Sequence, residues 1–429
     1  MTTPIPIVDD PPVPEYTALV ELLNPNNLAS MGMIEFITIN ATLYHNTVGS
    51  WSILCPYSDS LWNLVMSGNF IVRVNWRGLF TFGGKCEQPE YSSSIPGASS
   101  GGSGASSSAG EYITLSGADY LSIIANRICY PHPELAWSAQ LFGSEDTQIA
   151  TPLETAIKYY VTRNVGPQAL ASRQHPLLDV ATDQHRGPPV NYSVNFSKGQ
   201  SMNLLDVIRA LVAQANPNNI PSQNMGVSIV QNPQNKGRLL FDVYNPRDLS
   251  KTATFSEALG NLTSVSLSLA DPTCTDALVQ GSAKFVQQSA AAPVTITPWT
   301  KVEKFVDDTS ETNANNLNST AANTLLTGSL GPNLTSTTTD TPYLIYGRDY
   351  HVGDIVAVEV VPTVFVSSAI YSDIVSSVSL SADASQAPVI NVVPVIGSTT
   401  DPSATNKTIQ GNLINRIKTL EKKLATQGR

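Results

Sequence analysis

Phe70-Ile71-Val72-Arg73-Val74-Asn75-Trp76 is the stretch that most narrows what this chain can fold into. Phe70, Val72, Val74 and Trp76 face one way in an extended strand; Arg73 and Asn75 face the other. Strand side chains alternate with a period of two, so a slip of one residue would turn the whole apolar set to water. The pattern therefore predicts a half-buried strand with a fixed register.

Its neighbours form an ordered succession over residues 49–133. Gly49-Ser50-Trp51-Ser52-Ile53-Leu54-Cys55-Pro56 is an apolar run closed by proline, hence a strand. Residues 58–65 read as a short helix, with Ser58 or Asp59 accepting from the first free N–H groups and Gly68 as the stop. Leu79-Phe80-Thr81-Phe82-Gly83-Gly84 follows a tight turn, and Tyr112-Ile113-Thr114-Leu115-Ser116-Gly117 resumes as a strand. Between them, residues 92–110 are almost wholly Ser, Gly and Ala. Because strand pattern resumes afterwards, this is a flexible hairpin extension rather than a domain linker. A helix is expected over residues 119–129, with Leu121, Ile124, Ala125 and Ile128 on one stripe.

Elsewhere, residues 4–14 are proline-rich and read as an extended arm, and residues 33–39 read as a strand. Helices are expected over 152–163 and 202–215, the latter with Leu204, Leu205, Ile208, Leu211 and Val212 at helical spacing. Residues 227–230 and 238–244 read as paired strands, and 262–269 as another. Two more fall in 278–306, and strand pattern returns over 354–361 and 364–380. Residues 307–341 are rich in Asn, Thr and Ser, and read as a long polar loop of the kind that is usually functional or interfacial.

The chain has 429 residues, long enough for two or three domains. Hydrophobic residues make up 41%, enough to fill packed cores, but only 14% are charged, well under the usual quarter. A chain with so few charges either stays soluble on Ser, Thr and Asn or hides surface in an assembly; the assembly is the reading taken. The net charge of −10 argues against tight nucleic-acid binding, which needs clustered Lys and Arg, but suits DNA sliding past a repelling wall. Cys55, Cys86, Cys129 and Cys274 show no CxxC spacing and read as free thiols, as in a reducing cytoplasm. The first ten residues lack the basic and apolar regions of a signal peptide, and no run of 18 apolar residues exists to span a membrane.

Catalytic signals are weak. Gly97-Ala98-Ser99-Ser100-Gly101 fits GxSxG formally, but that elbow needs a strand before it and a helix after it, and Ser/Gly sequence flanks both sides. On a helix, His175, Asp179 and Asp183 would share a face, with His185 close by, as in a divalent-metal or acid/base cluster. The segment is polar and proline-flanked, so a solvated loop is the expectation. Asp9-Asp10 and Asp307-Asp308 are adjacent carboxylates that point apart. There is no HExxH, Walker loop or dinucleotide fingerprint. No catalytic residue, cofactor or metal is expected.

Leu413, Ile417, Leu420 and Leu424 are spaced four, three and four apart, among Arg416, Lys418, Glu421, Lys422 and Lys423. This seam reads as a short homo-oligomeric coiled coil; a helix packed on its own domain is the alternative.

Taken in order, the Gly-x-Trp strand, short helix, Ile-Val-x-Val strand, Phe-x-Gly, long insert, Ser-Gly-x-Asp and Asn-Arg before Tyr-Pro resemble minor tail proteins of long-tailed phages of actinobacteria. Those are similar in turn to the baseplate hub proteins of contractile-tailed phages. Val302-Glu303-Lys304-Phe305-Val306-Asp307 and Tyr346-Gly347-Arg348-Asp349-Tyr350-His351-Val352-Gly353-Asp354-Ile355-Val356 extend the likeness over most of residues 30–380. The resemblance implies an α+β, mostly β chain with two β-barrel-like hub domains, a mixed α/β region between them and a C-terminal coiled-coil helix. It implies a homotrimer at the distal tail end, whose six domains form a pseudo-sixfold ring able to cap a hexameric tube. The domains would be 1–117 and 251–385, with 118–250 peripheral, 386–408 a linker and 409–429 the helix. Partners would be other copies, neighbouring tail-tip proteins and DNA in passing. Two other classes remain: a wall hydrolase with 118–250 catalytic, and a receptor binder using 92–110 or 307–341.

Overall fold

The alternating heptapeptide is a strand whose apolar face is fully closed off from water. It is β5 (Ile71–Trp76), with Val72, Val74 and Trp76 buried. Beside it lies β1 (Ala18–Leu23), antiparallel, setting Val20 against Val74 and Leu22 against Val72 in the core, while Glu21 meets Arg73 on the other face and accepts its hydrogen bonds. The computed structural model describes residues 18–94, 110–141, 143–196, 202–216, 221–270, 274–289, 296–308, 312, 314–327, 331–338, 340–341, 343–360, 369–384 and 389–397. It is mostly β, 17% helical and 46% strand. The chain divides into two compact units: 1–41, 50–120 and 380–391 in one, and 42–49, 121–379 and 392–429 in the other.

The first unit adds β2 (Ser30–Ile34), β3 (Thr38–Tyr44), β4 (Ser50–Pro56), α1 (Asp59–Ser67), β6 (Phe80–Ser94) and β7 (Gly110–Ala118). Its sheet runs β3-β4-β7-β6-β5-β1-β2, so β2 is an edge strand. In α1 the Ser58 hydroxyl accepts from the Leu61 N–H at 3.2 Å and Gly68 closes the helix in the left-handed region at φ 62°, as expected. Ser94 pairs with Gly110, so β6 and β7 form the arms of the Ser/Gly insert, whose residues 95–109 lie outside the described set. Gly117 is where β7 passes closest to its neighbours. A Cβ there would run into the Lys85 carbonyl oxygen and come within 2.8 Å of the Trp51 ring. The indole Nε1 of Trp51 donates to the Ala118 carbonyl at 3.0 Å. The Gly-x-Trp and Ser-Gly motifs are thus the two halves of one contact.

The second unit contains α2 (Ser122–Ala125), β8 (Asp146–Pro152), α3 (Leu153–Asn164), β9 (Leu178–Val180), β10 (Pro189–Val194), α4 (Leu204–Ala215), β11 (Gly226–Gln231), β12 (Leu239–Tyr244), β13 (Thr254–Phe255), β14 (Leu262–Ala270), β15 (Asp276–Gln280), β16 (Phe285–Ser289), β17 (Glu303–Asp307), α5 (Ala314–Thr327), β18 (Gly331–Thr338), β19 (Ile355–Val360), β20 (Ala369–Asp383) and β21 (Val389–Ile396). Small sheets form: β10 with β8, β11-β12-β9 and β16-β15-β17, while β14, β18, β21 and β20 lie side by side and β19 joins β20 to β13. Leu153, Ile157, Tyr160 and Val161 of α3 and Leu204, Ile208 and Leu211 of α4 are fully buried.

Several expectations need correction. The run 33–39 is split between β2 and β3, because an apolar run alone does not show where a strand changes partner. The helix expected over 119–129 is only α2: the Cys129 N–H donates to the Met202 carbonyl at 2.6 Å and the Leu204 N–H to Arg127 at 2.8 Å, so tertiary pairing takes the backbone that a longer helix would use. Residues 278–306 hold parts of three strands, not two. The polar stretch 307–341 is not a loop but contains α5 and β18. Its Leu317, Ala321 and Leu325, four residues apart, pack with Cys274, Ala277 and Val279, and that small stripe suffices to dock a helix. The stretch 386–408, expected as a linker, includes β21. No closed barrel is found among the described residues. The amphipathic segment 409–429 lies outside them.

Candidate functional site

The His/Asp segment, the strongest chemical signal in the sequence, is taken apart by the fold. His175 is drawn inward and burial lowers its ring pKa. Asp179 sits on β9 and binds Arg238, Nε to Oδ1 at 2.8 Å. Asp183 accepts from the Thr155 hydroxyl at 2.7 Å and pairs with His185 at 3.1 Å. The backbone here is turn and strand, so the shared helical face never forms and each carboxylate has its own partner. Among the described residues no group of three or more His, Cys, Asp or Glu side chains could hold a metal ion.

A denser polar node surrounds Glu154, fully buried in the first turn of α3. Lys158, one turn on, donates to it at 2.7 Å, and Arg186 donates from Nε at 2.8 Å and from its backbone N–H at 3.0 Å. Lys158 also meets Asp242 at 2.8 Å and the Thr182 carbonyl at 2.9 Å, and Arg186 donates to the Val243 carbonyl. Burial pushes the Glu154 carboxyl up, but the hydrogen bonds from Arg186 and Lys158 outweigh it and hold it at about 2. A carboxylate so acidic is a poor proton acceptor at neutral pH. The node ties α3 to β12 and to residues 182–186; it is a fastening.

The Tyr346-to-Val356 signature is likewise a packing device. Asp340 accepts from the Tyr350 hydroxyl at 3.0 Å, and Tyr350 stacks edge-on against Phe255. Asp354 takes Arg247 at 2.9 Å. Gly353, at φ +89°, leaves room for a half-buried His45–Tyr244 pair: a Cβ there would come within 2.6 Å of the Tyr244 hydroxyl and 2.9 Å of His45 Nδ1. The Val227 N–H donates to Asn46 Oδ1 at 2.9 Å, so Asn46 Nδ2 faces and donates to His45 Nε2 at 3.1 Å. Nε2 is therefore the acceptor and Nδ1 carries the proton towards Tyr244. Burial holds this ring at about 4, hence neutral. All four cysteines are free, and Cys55, Cys129 and Cys274 are buried.

What the molecule does present is apolar surface, in three places. In the first unit a groove of about 420 Å³ runs between β2 and α1, lined by Leu22, Gly32, Ile34, Leu61 and Leu64, with Met33 67% exposed at its rim. In the second unit α5 covers one face of the β16-β15-β17 sheet; the other face carries Leu278 directly beside Phe305, with Phe285 opposite Gln280. Phe285 and Phe305 are 63% and 56% exposed, and Trp299, before β17, is 96% exposed. Third, Tyr130, Trp137 and Phe196 cluster with ring centroids 5.7–6.0 Å apart, Trp137 being 65% exposed. Aromatic and Met side chains exposed in groups mark docking surfaces. Sequence reading missed these residues, although one signal was present: in β15, Leu278 is apolar on the face opposite Ala277 and Val279, as strands covered on both faces are. Leu413, Ile417, Leu420 and Leu424, the expected oligomerisation seam, and Ser99 and Ser100 lie outside the described residues. No helix among the described residues is long and apolar enough to cross a membrane.

A family model described as Siphovirus ReqiPepy6 Gp37-like protein matches residues 19–398. Two solved structures share the fold. The 43 kDa tail protein of prophage MuSo2 from Shewanella oneidensis is 11% identical, with a TM-score of 0.50 covering 90% of this chain and 100% of that one. The tail protein from Neisseria meningitidis MC58 is 12% identical, with a TM-score of 0.50 covering 91% and 99%. No curated protein matches the sequence.

Proposed function

The chain belongs to the Siphovirus ReqiPepy6 Gp37-like family, and from that premise we propose that it is a hub of a phage tail tip, structural rather than catalytic. In this reading it sits at the distal end of the tail, caps the tube, connects it to tip or fibre proteins and lines the channel through which DNA leaves. The observation that carries the reading is the family match over residues 19–398, joined to a fold shared along nearly the whole length with two tail proteins.

The remaining support is physical. A hub spends its surface on neighbours, and the Leu278–Phe305 face and the Trp137 cluster are apolar surfaces of that kind. A chain at −10 charge does not hold passing phosphates by counterion release. The assembly proposed is a homotrimer built on two β-rich regions, 1–117 and 251–385, with 118–250 peripheral, 386–408 connecting, and the Leu413, Ile417, Leu420 and Leu424 seam joining three copies below the ring. It forms in the host cytoplasm and travels in the virion.

Electron cryomicroscopy of intact virions tests this directly. The expected result is three copies around the tail axis at the distal end, with neutral or acidic side chains facing the lumen. A single copy, a location elsewhere in the virion or a strongly basic lumen would overturn the reading. Release of peptidoglycan fragments by the purified chain would favour the hydrolase instead.

A further inference from the structure

β2 ends its sheet, and nothing among the described residues pairs with its outer edge. Open edges of this kind invite pairing with other chains, and proteins cover or blunt them. Beside this edge the groove under α1 opens above Gly32, where an added Cβ would meet no atom within 4 Å. Leu22, Ile34, Leu61 and Leu64 supply its apolar lining. The edge and the groove therefore ask for the same thing: one more strand, with apolar side chains on the α1 side.

The chain carries such a segment close by. Residues 1–17 lie outside the described set, and they include Pro4-Ile5-Pro6-Ile7-Val8. In an extended strand the N–H and C=O of alternate residues point to opposite edges. Pro4 and Pro6 lack N–H groups, so one edge of this segment cannot build a ladder, while Ile5 and Ile7 keep both groups on the other. A strand so composed can join a sheet and end it. Ile5 and Ile7 also share a face.

The reach suffices. Ala18 opens β1, which pairs directly with β2 through Val20 and Ile34. Residues 9–17 must cross roughly 10 Å, two inter-strand spacings, and nine residues can extend to about 30 Å. Pro11, Pro12 and Pro14 within them favour an extended path.

We infer that residues 4–8 of the same chain add to the free edge of β2, parallel to it, placing Ile5 and Ile7 in the groove beneath α1 and closing the sheet. The inference does not depend on the tail-hub reading.

Hydrogen exchange on the full-length protein, read by mass spectrometry, provides the test. In Ile5→Asp/Ile7→Asp, amides of residues 30–34 should exchange at least about tenfold faster than in the wild type, with β5 amides unchanged as the measure of an intact unit. Equal rates over residues 30–34 would overturn the inference. A second arm identifies the donor chain. Ile7→Cys/Leu64→Cys, prepared as a mixture of isotopically heavy and light chains and oxidised, should give cross-linked peptides that are wholly heavy or wholly light. Mixed peptides would assign the groove to a second copy, and absence of any link would leave it to another occupant; either result overturns the assignment.

Discussion

Glu154 and Asp373 are both buried carboxyl groups, and their surroundings drive them in opposite directions. Glu154 is held at about 2, against an ordinary value of 4.5, because Arg186 and Lys158 outweigh its burial. Its folded-state pKa is depressed, so the stability it contributes is complete above about 4.5 and disappears as pH falls towards 2. The linked stability is about 3 kcal/mol. Glu154→Gln is expected to flatten this acid limb and to cost about 3–5 kcal/mol at pH 7, since two cations lose their buried partner; urea unfolding from pH 2 to 7 checks both. Burial raises Asp373 from 3.8 to about 8, with the Ile374 N–H offsetting only part of the rise. One carboxyl oxygen has no hydrogen-bond partner, while the other accepts from the Ile374 N–H at 2.7 Å. Here the folded-state pKa is raised, so stability is complete below about 3.8 and falls by about 1.4 kcal/mol per pH unit up to about 8. Asp373→Asn should remove that slope and raise the unfolding midpoint at pH 7 but not at pH 4. A midpoint equally sensitive to pH in the variant would show the carboxyl to be solvated.

At the scale of elements, apolar stripes decided more than polarity did. The segment holding α5 is dominated by Asn, Thr and Ser, yet Leu317 and Ala321 are fully buried on the β15 sheet. Leu317→Ala is expected to cost about 2–5 kcal/mol, read as a loss of helix signal and of protection in α5, because this satellite core is small. The opposite face of the same sheet behaves differently. Leu278 and Phe305 are exposed, so Leu278→Ser/Phe305→Ser should leave the melting temperature of the isolated chain within about 2 °C, while reducing its incorporation into virions. A large drop in melting temperature would mean that this face is covered by the chain itself. The contrast between α4 and α2 has the same origin. In α4, Asn203 caps the first turn, accepting from the Leu205 N–H at 3.0 Å, and an unbroken stripe follows. In α2 the stripe continues on paper to Ile128, but the backbone beyond Ala125 bonds to residues 202–204 instead.

For the whole molecule, two compact units and two apolar surfaces left open, the Leu278–Phe305 face and the Trp137 cluster, suit a chain surrounded by neighbours. In the proposed trimer, a two-heptad seam of Leu413, Ile417, Leu420 and Leu424 would bury too little to hold free chains together, and proximity would come from the rest of the assembly. Ile417→Asp/Leu420→Asp is therefore expected to leave the oligomer mass in native mass spectrometry unchanged, while protease removes residues 409–429 faster. An unchanged digestion rate would mean that the seam does not associate.

The sequence by itself determined the local plan. Period-two alternation in residues 70–76 fixed β5 and its buried face, Ser58 and Gly68 bounded α1, and the stripe of residues 204–212 placed α4. The ordered motifs pointed to the right family, since they record close approaches: Gly117 against Trp51, and Gly353 against His45 and Tyr244. Tertiary structure alone decided who pairs with whom. It split residues 33–39 between two strands, shortened α2, folded the polar stretch into α5 and β18, and left β2 at an edge with a groove beside it. The physical reason is that alternation and helical stripes report which side of an element is buried, whereas its partner lies far along the chain, as Tyr244 does, 199 residues from His45.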